Sequence, residues 1–350
     1  MTFTLKQFNL AKENVAAALD VGPRHIEVHR YEWSPEKRST RVWGNALGKG
    51  FFAKTLITEP YQVTPRISVP WDDANTNIPI LRPIVEQIEV EWNTTHQLRR
   101  LLNVATLPQP IGRSISTNTI VWGDVHGSSF NEFVKRPRLW GSASPEFAKR
   151  FSAAGAWLRS LHERSVTGRS VVVDLGEIRQ GLQARMRQNG LMSFPYAKRA
   201  LQALESAISE IGRTVFEAPA VLSHGDFMMT NLLWNAQAGQ LYVVDFENFA
   251  PASLCQDLLS IVFDFRSQLL NPFIPRRLIV GLERAFWEGY GPVAKEVRAF
   301  VNGVASSRVF YYHLPRVLST RKGQGGWGAA AASVYETFFQ SSMMARCLQI

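Results

Sequence analysis

Cysteine is nearly absent from this chain. Two in 350 residues, Cys255 and Cys347, give neither a disulfide framework nor a CxxC pair, which suits a reducing, cytoplasmic interior and leaves no thiolate metal site. The seven histidines show no HExxH spacing and no GxSxG elbow occurs, so zinc-peptidase and serine-hydrolase chemistry are excluded. Long apolar runs are missing as well. No stretch reaches the roughly eighteen uninterrupted apolar residues of a membrane span, and the opening stretch, with Lys6, Lys12 and Glu13, does not read as a secretory signal. GNALGKG is not a P-loop: only three residues separate Gly44 from Gly48, and Gly50 stands where Ser or Thr must follow the Lys. There is no internal repeat. The one low-complexity stretch, GQGGWGAAAAS from Gly323 to Ser333, reads as a connection to a last helix containing Tyr335, Phe338 and Phe339.

What is present is ordinary in bulk and specific in one place. With 45% apolar and 19% charged residues the chain can bury one or two full cores. The specific place is LSHGDFMMTNLLWNAQAGQLYVVDFENF, which sets Asp226, Asn231 and Asp245 at intervals of five and fourteen residues. Mg-ATP phosphoryl transfer in kinases uses such a set: an Asp that takes the proton of the attacking hydroxyl, an Asn five residues on that holds one magnesium, and a second Asp that holds the other. The longer interval fits a hairpin. Leu232 to Trp234 read as a short strand, Asn235 to Gly239 as a polar turn, and Leu241 to Val244 as a returning strand that brings Asp245 beside Asn231.

HGDFMMTN followed by VVDFEN resembles the aminoglycoside phosphotransferase and choline kinase group, relatives of protein kinases that carry HGD in place of HRD. The resemblance extends over about residues 40 to 265. It implies an α+β, two-lobed protein kinase-like fold: an N-lobe over 1–120 with an antiparallel sheet and one helix, a mainly helical C-lobe over 121–350 with the catalytic loop, and a hinge near 120–128. It also implies an ATP-dependent kinase with Mg2+ as the second cofactor, GTP being an open alternative to ATP. Asp226 would be the catalytic base, with Asn231 and Asp245 the metal ligands. His224 would brace the catalytic loop through hydrogen bonds, the alternative for a His beside that Asp being acid/base work. Asp257 in CQDLLSIVF matches the family's Asp at a helix start, a position that ordinary capping also favours.

The nucleotide site needs a strand Lys held by a helix Glu. GKGFFAKTLI supplies Lys54. From Pro83 onward the spacing predicts a helix with Ile84, Ile88, Thr95, Leu98 and Leu102 on one stripe, and Glu91 falls inside it. A buried carboxylate needs a cation, and Lys54 is the expected one; a partly exposed stripe edge is the alternative. Glu86 and Glu89 face away from the stripe. Gly44, Gly48 and Gly50, just before Lys54, read either as a flexible loop over phosphates, with Gly48 and Gly50 as nucleotide-binding positions, or as a plain turn. Further along, TIVWGDVHGSSFNEFV predicts a strand, a turn and the start of a helix. Ser144 and Pro145 predict an N-cap and first helical residue, ahead of an apolar face of Phe147, Phe151, Ala154, Leu158 and Leu161 that ends in LRSLH, similar to the family's Leu-His ending.

Two departures bear on the acceptor. Met228 and Met229 stand where many family members carry a His-Pro or similar pair, and neither makes strong hydrogen bonds. Asp245, Phe246 and Glu247 replace the protein-kinase DFG, and DFE is common among small-molecule kinases of the group. The net charge is +10, and residues 251–350 hold eleven Lys or Arg against six Asp or Glu. That balance disfavours a polycationic aminoglycoside, whose modification is the less favoured alternative, and suits a neutral or anionic sugar or glycan, with an amino alcohol as the other acceptor class. Arg266, Tyr311, Tyr312, His313 and Arg316 are the candidate acceptor contacts. The basic residues are scattered rather than interleaved with aromatics, so no nucleic acid is expected, while peripheral contact with an anionic membrane stays open. A catalytically silent, kinase-like scaffold is the alternative reading, although retention of all five polar positions argues against it. The sequence carries no signal for oligomeric state.

Overall fold

The structure, a computed structural model, describes residues 5–34, 39–56, 84–102, 106–123, 125, 127–135, 144–188, 192, 195–269 and 274–323. Helix α1 (Leu5–Leu19) turns Ala11, Val15, Ala16 and Ala18 onto one face of a sheet. That sheet begins with β1 (Ile26–Ser34), β2 (Ser39–Ala46) and β3 (Lys49–Leu56). The tight link from β2 to β3 is two residues, Leu47 and Gly48, with φ of 51° and 77°. Both lie in the left-handed region, the geometry that matches the twist of a two-residue hairpin and that Gly48 adopts without steric cost.

Alternation along β3 decides what each face carries. Phe51 and Ala53 join Val42, Val121 and helix α1 in one core cluster. Phe52 and Leu56 pack on the opposite face against Ile88 of helix α2 (Ile84–Leu101), together with Ile120 and Trp122. Lys54 shares the parity of Phe52 and Leu56, so its side chain belongs to the α2 face. Strands β4 (Pro110–Ser114) and β5 (Thr119–Gly123) complete an antiparallel sheet of order β1-β2-β3-β5-β4. The chain then makes the two-residue strand β6 (Ser128–Ser129) and the short helix α3 (Phe130–Lys135).

Helix α4 (Pro145–Arg164) starts as its sequence predicts: Ser144 Oγ accepts a hydrogen bond from Phe147 N at 3.4 Å, and Pro145 occupies the first turn. Its stripe of Phe147, Phe151, Ala154, Leu158 and Leu161 is buried. Strand β7 (Ser170–Asp174), helices α5 (Leu175–Gln188) and α6 (Pro195–Ile211) and strand β8 (Val215–Ser223) follow. The hairpin β9 (Leu232–Asn235) and β10 (Gln240–Val243) pairs Leu232 with Val243 and Asn235 with Gln240, and β6 lies on the free edge of β9. Strand β11 (Ala250–Ser253) returns to pair with β8.

Three helices close the described chain: α7 (Cys255–Gln268), α8 (Arg276–Tyr290) and α9 (Lys295–Gly323). Helices α4 and α8 touch backbone to backbone at two glycines. A Cβ on Gly155 would fall 2.1 Å from Phe286 O, and one on Gly289 would fall 1.9 Å from Ser152 O.

The chain divides into two compact units. The first takes the N-terminal sheet with α1 and α2 and also residues 231–249, the β9–β10 hairpin; the second is mainly helical and takes 130–230 and 250 onward. No described helix is long and apolar enough to cross a membrane. The side chains of Glu86, Tyr311, Tyr312, His313 and Arg316, and everything proposed for 324–350, lie outside the described residues.

Candidate functional site

In the first unit one ammonium gathers three carboxylates. Lys54, 5% exposed, donates from Nζ to Asp245 Oδ1 at 2.7 Å, to Glu247 Oε2 at 2.9 Å and to Glu91 Oε2 at 3.3 Å. Glu91 is 2% exposed on the buried stripe of α2, between Ile88 and Thr95, as the helical periodicity predicts. Glu89 points elsewhere and pairs with Arg113 at 2.7 Å. Carboxylate oxygens of Glu91, Asp245 and Glu247 lie within 4.8 Å of one another, a donor set that fits a hard divalent cation. Arg41 brings a second positive charge, its Nη2 3.5 Å from Asp245 Oδ2.

Electrostatics in the cluster follow from this crowding. Burial alone lowers the Lys54 ammonium, but Asp245, Glu91 and Glu247 together hold it well above its ordinary value. Burial pushes the Glu91 carboxyl up to about 7, against the pull of Lys54 and with the charges of Asp245 and Glu247 adding to the rise. Asp245 sits just past the end of β10 with φ of 74°, a conformation uncommon outside glycine. Asn231, 4% exposed, directly precedes β9, and its carbonyl accepts from Val244 N at 3.0 Å. That bond continues the ladder by one step and sets Asn231 against the residue before Asp245.

In the second unit the HGD loop hangs on one buried carboxylate. Asp257, fully buried in the first turn of α7, accepts from His224 N at 2.8 Å and Gly225 N at 2.9 Å, and pairs with His162 Nε2 at 3.1 Å. A carboxylate only accepts, so Nε2 carries the His162 proton and Nδ1 accepts from Tyr290 Oη at 2.8 Å. Burial pushes the Asp257 carboxyl up, but the His162 hydrogen bond, the His162 and His224 imidazoles beside it and the His224 N–H outweigh it and leave the group below its ordinary value. His224 is wholly buried, and its Nδ1 accepts from Asp226 N at 3.3 Å while its ring meets the edge of Phe227. Asp226 follows at Gly225, where φ is 80°, and its carbonyl accepts from Met228 N at 2.9 Å.

Several side chains escaped the sequence reading. Asp264 Oδ2 accepts from Met229 N at 2.8 Å, a second anchor for the loop. The signal was there: Asp264 lies two helical turns after Asp257 inside the apolar run SIVFDFRS. Tyr290 and Arg41 had no local signal, because their partners lie 128 and 204 residues away in sequence. Glu247 was read as a marker of acceptor class and proves to be a direct partner of Lys54.

Two expectations need correction. Gly48 and Gly50 do not meet the Lys54 cluster. Arg41 pairs with Lys54 and Ala46 with Lys49 across the hairpin, so Gly50 is four residues back along β3, about 13 Å away at roughly 3.3 Å per residue. The end of the sheet near Lys54 is instead where β1 stops and β2 begins, at the Ser34–Ser39 pair. Gly48 serves the β2–β3 turn, and Gly50 lies in β3 opposite Asn45. Arg266 is not available to an acceptor: 1% exposed, it donates to Asn302 O, Asn302 Oδ1 and Ser306 Oγ and lies 3.6 Å from Glu283.

An antiparallel sheet whose Lys54 is held by a helix Glu91, and a mainly helical unit whose HGD loop hangs on a helix Asp257, define the two-lobed, protein kinase-like class. Residues 96–295 match the model of the phosphotransferase enzyme family, and the chain belongs to that family. It is an ATP-dependent phosphotransferase, a small-molecule kinase. No curated protein matches it in sequence.

Solved structures share the fold at low identity. The AMP-bound spectinomycin phosphotransferase APH(9)-Ia is 13% identical over 99% of both chains, with a TM-score of 0.53. The amicoumacin kinase in complex with AMP-PNP, Ca2+ and Ami is 12% identical over 97% of this chain and 95% of its own, also at 0.53. A macrolide 2′-phosphotransferase from Brachybacterium faecium is 16% identical over 93% and 97%, at 0.50.

Proposed function

We propose that the protein transfers the γ-phosphate of ATP to a hydroxyl group of a small molecule: a neutral or anionic sugar or glycan, or an amino alcohol. The observation that carries the nucleotide half of this reading is the buried cluster in which Lys54 Nζ lies 2.7 Å from Asp245 and 3.3 Å from Glu91. Three clustered carboxylates have no structural use for one another, since their repulsion opposes folding. They do suit a divalent cation. Magnesium, when bound, neutralises charge on the β- and γ-phosphate oxygens. Asp245 and Asn231 would hold it, Lys54 would contact the α- and β-phosphates, and Glu91 would fix the position of Lys54.

Asp226 would accept the proton of the acceptor hydroxyl. Its main chain is set from both sides, by the bond to His224 Nδ1 and the bond from Met228 N, which fixes where its side chain starts. The acceptor class rests on charge: eleven basic against six acidic residues over 251–350 favour a neutral or anionic molecule over a polycation.

Magnesium-dependent stabilisation by ATP and by GTP, read as a melting-temperature shift in wild type and Asp245→Ala, tests the nucleotide half. The expected result is a shift that requires Mg2+ and disappears in the variant; no shift with either nucleotide at millimolar concentration would sink the proposal. With an acceptor in hand, Asp226→Ala should lower turnover by about 10²- to 10⁴-fold and leave ATP affinity near wild type, the usual size of a general-base contribution.

A further inference from the structure

We propose that Arg41 is a second phosphate-contacting cation of the nucleotide site, working beside Lys54. The inference rests on the reading of the Lys54 cluster as that site. Arg41 is directly opposite Lys54 in the β2–β3 register. Directly opposed residues in an antiparallel pair project from the same face, so both cations stand on the α2 side of the sheet.

Counting donors separates the two. An ammonium has three N–H groups, and those of Lys54 are engaged by Asp245, Glu247 and Glu91. To touch a phosphate, Lys54 must release a carboxylate. Arg41 has five N–H groups in a planar fork, and among the described residues its one ion pair is the long 3.5 Å contact with Asp245. Its Nε is buried and has no hydrogen-bond partner there. An unpartnered N–H costs free energy in a protein interior, and an anionic oxygen arriving at the cluster would satisfy it. The side chain keeps 24% of its surface exposed, enough for a ligand to reach it.

Charge points the same way. Glu91, Asp245 and Glu247 outnumber Lys54 and Arg41 by one, so without Arg41 a polyphosphate would approach a strongly negative pocket held by a single, fully engaged cation. A guanidinium also offers the two parallel N–H groups that match two phosphate oxygens.

Calorimetric titration of ATP with Mg2+ and of adenosine, on wild type, Arg41→Met, Arg41→Lys and Lys54→Met, tests this. In Arg41→Met we expect ATP affinity to fall about 10- to 100-fold, the size of one charge-assisted hydrogen bond, with adenosine affinity unchanged and Arg41→Lys recovering part of the loss. Wild-type ATP affinity in Arg41→Met, with Lys54→Met impaired, would overturn the role of Arg41 and leave the phosphotransferase reading standing. An equal loss for ATP and adenosine would overturn it too, since it would mark Arg41 as a structural support. Absence of ATP binding in the wild type would remove the nucleotide site itself and this inference with it.

Discussion

Asp257→Asn is the most discriminating perturbation of the HGD-loop scaffold, because it changes charge and donor pattern with almost no change in shape. The native carboxylate serves three donors: Gly225 N on Oδ1, and His224 N with His162 Nε2 on Oδ2. An amide offers one oxygen and one NH2. With its oxygen in the Oδ2 place, the NH2 confronts Gly225 N–H; turned over, it confronts both His224 N–H and His162 Nε2–H. The first arrangement loses less and should be adopted, leaving one buried N–H unsatisfied at a cost of about 1–3 kcal/mol. Asp257→Ala leaves all three donors without an acceptor and should cost about 3–5 kcal/mol. With a urea slope of about 3 kcal/mol/M, a 2 kcal/mol loss lowers the unfolding midpoint by about 0.7 M. The defect should also be local: amide exchange at Gly225 should accelerate more than at the core of α7. The pH dependence has a definite sign. The folded-state value of Asp257 is below the ordinary 3.8, so its contribution is complete above that pH and disappears as pH falls through the lowered value. Wild type should therefore outlast Asp257→Asn by a constant margin from neutral pH down to about 5, and the margin should shrink below about 4. A variant as stable as wild type at pH 7, with unchanged exchange at Gly225, would refute the claim that Asp257 supports the loop.

Two further outcomes follow from packing and charge. Lys54→Met leaves Glu91 buried without its cation and should destabilise the protein by about 3–5 kcal/mol, while adding Glu91→Leu should recover most of that; thermal melts of wild type and the two variants decide whether the pair supports the fold. Gly289→Ala would drive a methyl group into Ser152 O and force α4 and α8 apart, costing about 1–3 kcal/mol in chemical denaturation, whereas Gly168→Ala, where a Cβ meets nothing, should show only the strain of its φ of 72°.

What the sequence disclosed and what it hid divide along the length scale of the interaction. Helix α2 and the burial of Glu91 were legible because a stripe of Ile88, Thr95 and Leu98 is written within a few turns, and a charge inside it demands a partner. The β9–β10 hairpin was legible because a polar turn separates two apolar runs. The cap at Ser144 is a four-residue pattern. Arg41 and Tyr290 were invisible, since nothing near them in the chain distinguishes an Arg or a Tyr that meets a carboxylate or an imidazole over a hundred residues away. Gly48 and Gly50 were misread for a related reason. Composition shows that a turn is there, but only strand register shows which end of the sheet it occupies, and register depends on the pairing of β2 with both its neighbours.

The two acidic centres differ in how firmly their oxygens are held. Asp257 is sealed from solvent and bound by main-chain N–H groups and a buried imidazole, partners fixed in place by β8, α4 and the loop itself. Nothing diffusible can compete for its oxygens. Asp245 retains 16% exposure and is bound by the tips of Lys54 and Arg41, whose long side chains can move without disturbing a strand. Its left-handed φ falls two residues past the last pair of the β9–β10 ladder. A residue meant only to neutralise Lys54 would need neither that backbone strain nor a third carboxylate at Glu247. Rigid backbone with replaceable counter-charges suits an ion-binding position, the role we propose for Asp245, whereas the oxygens of Asp257 are committed to the HGD loop and His162.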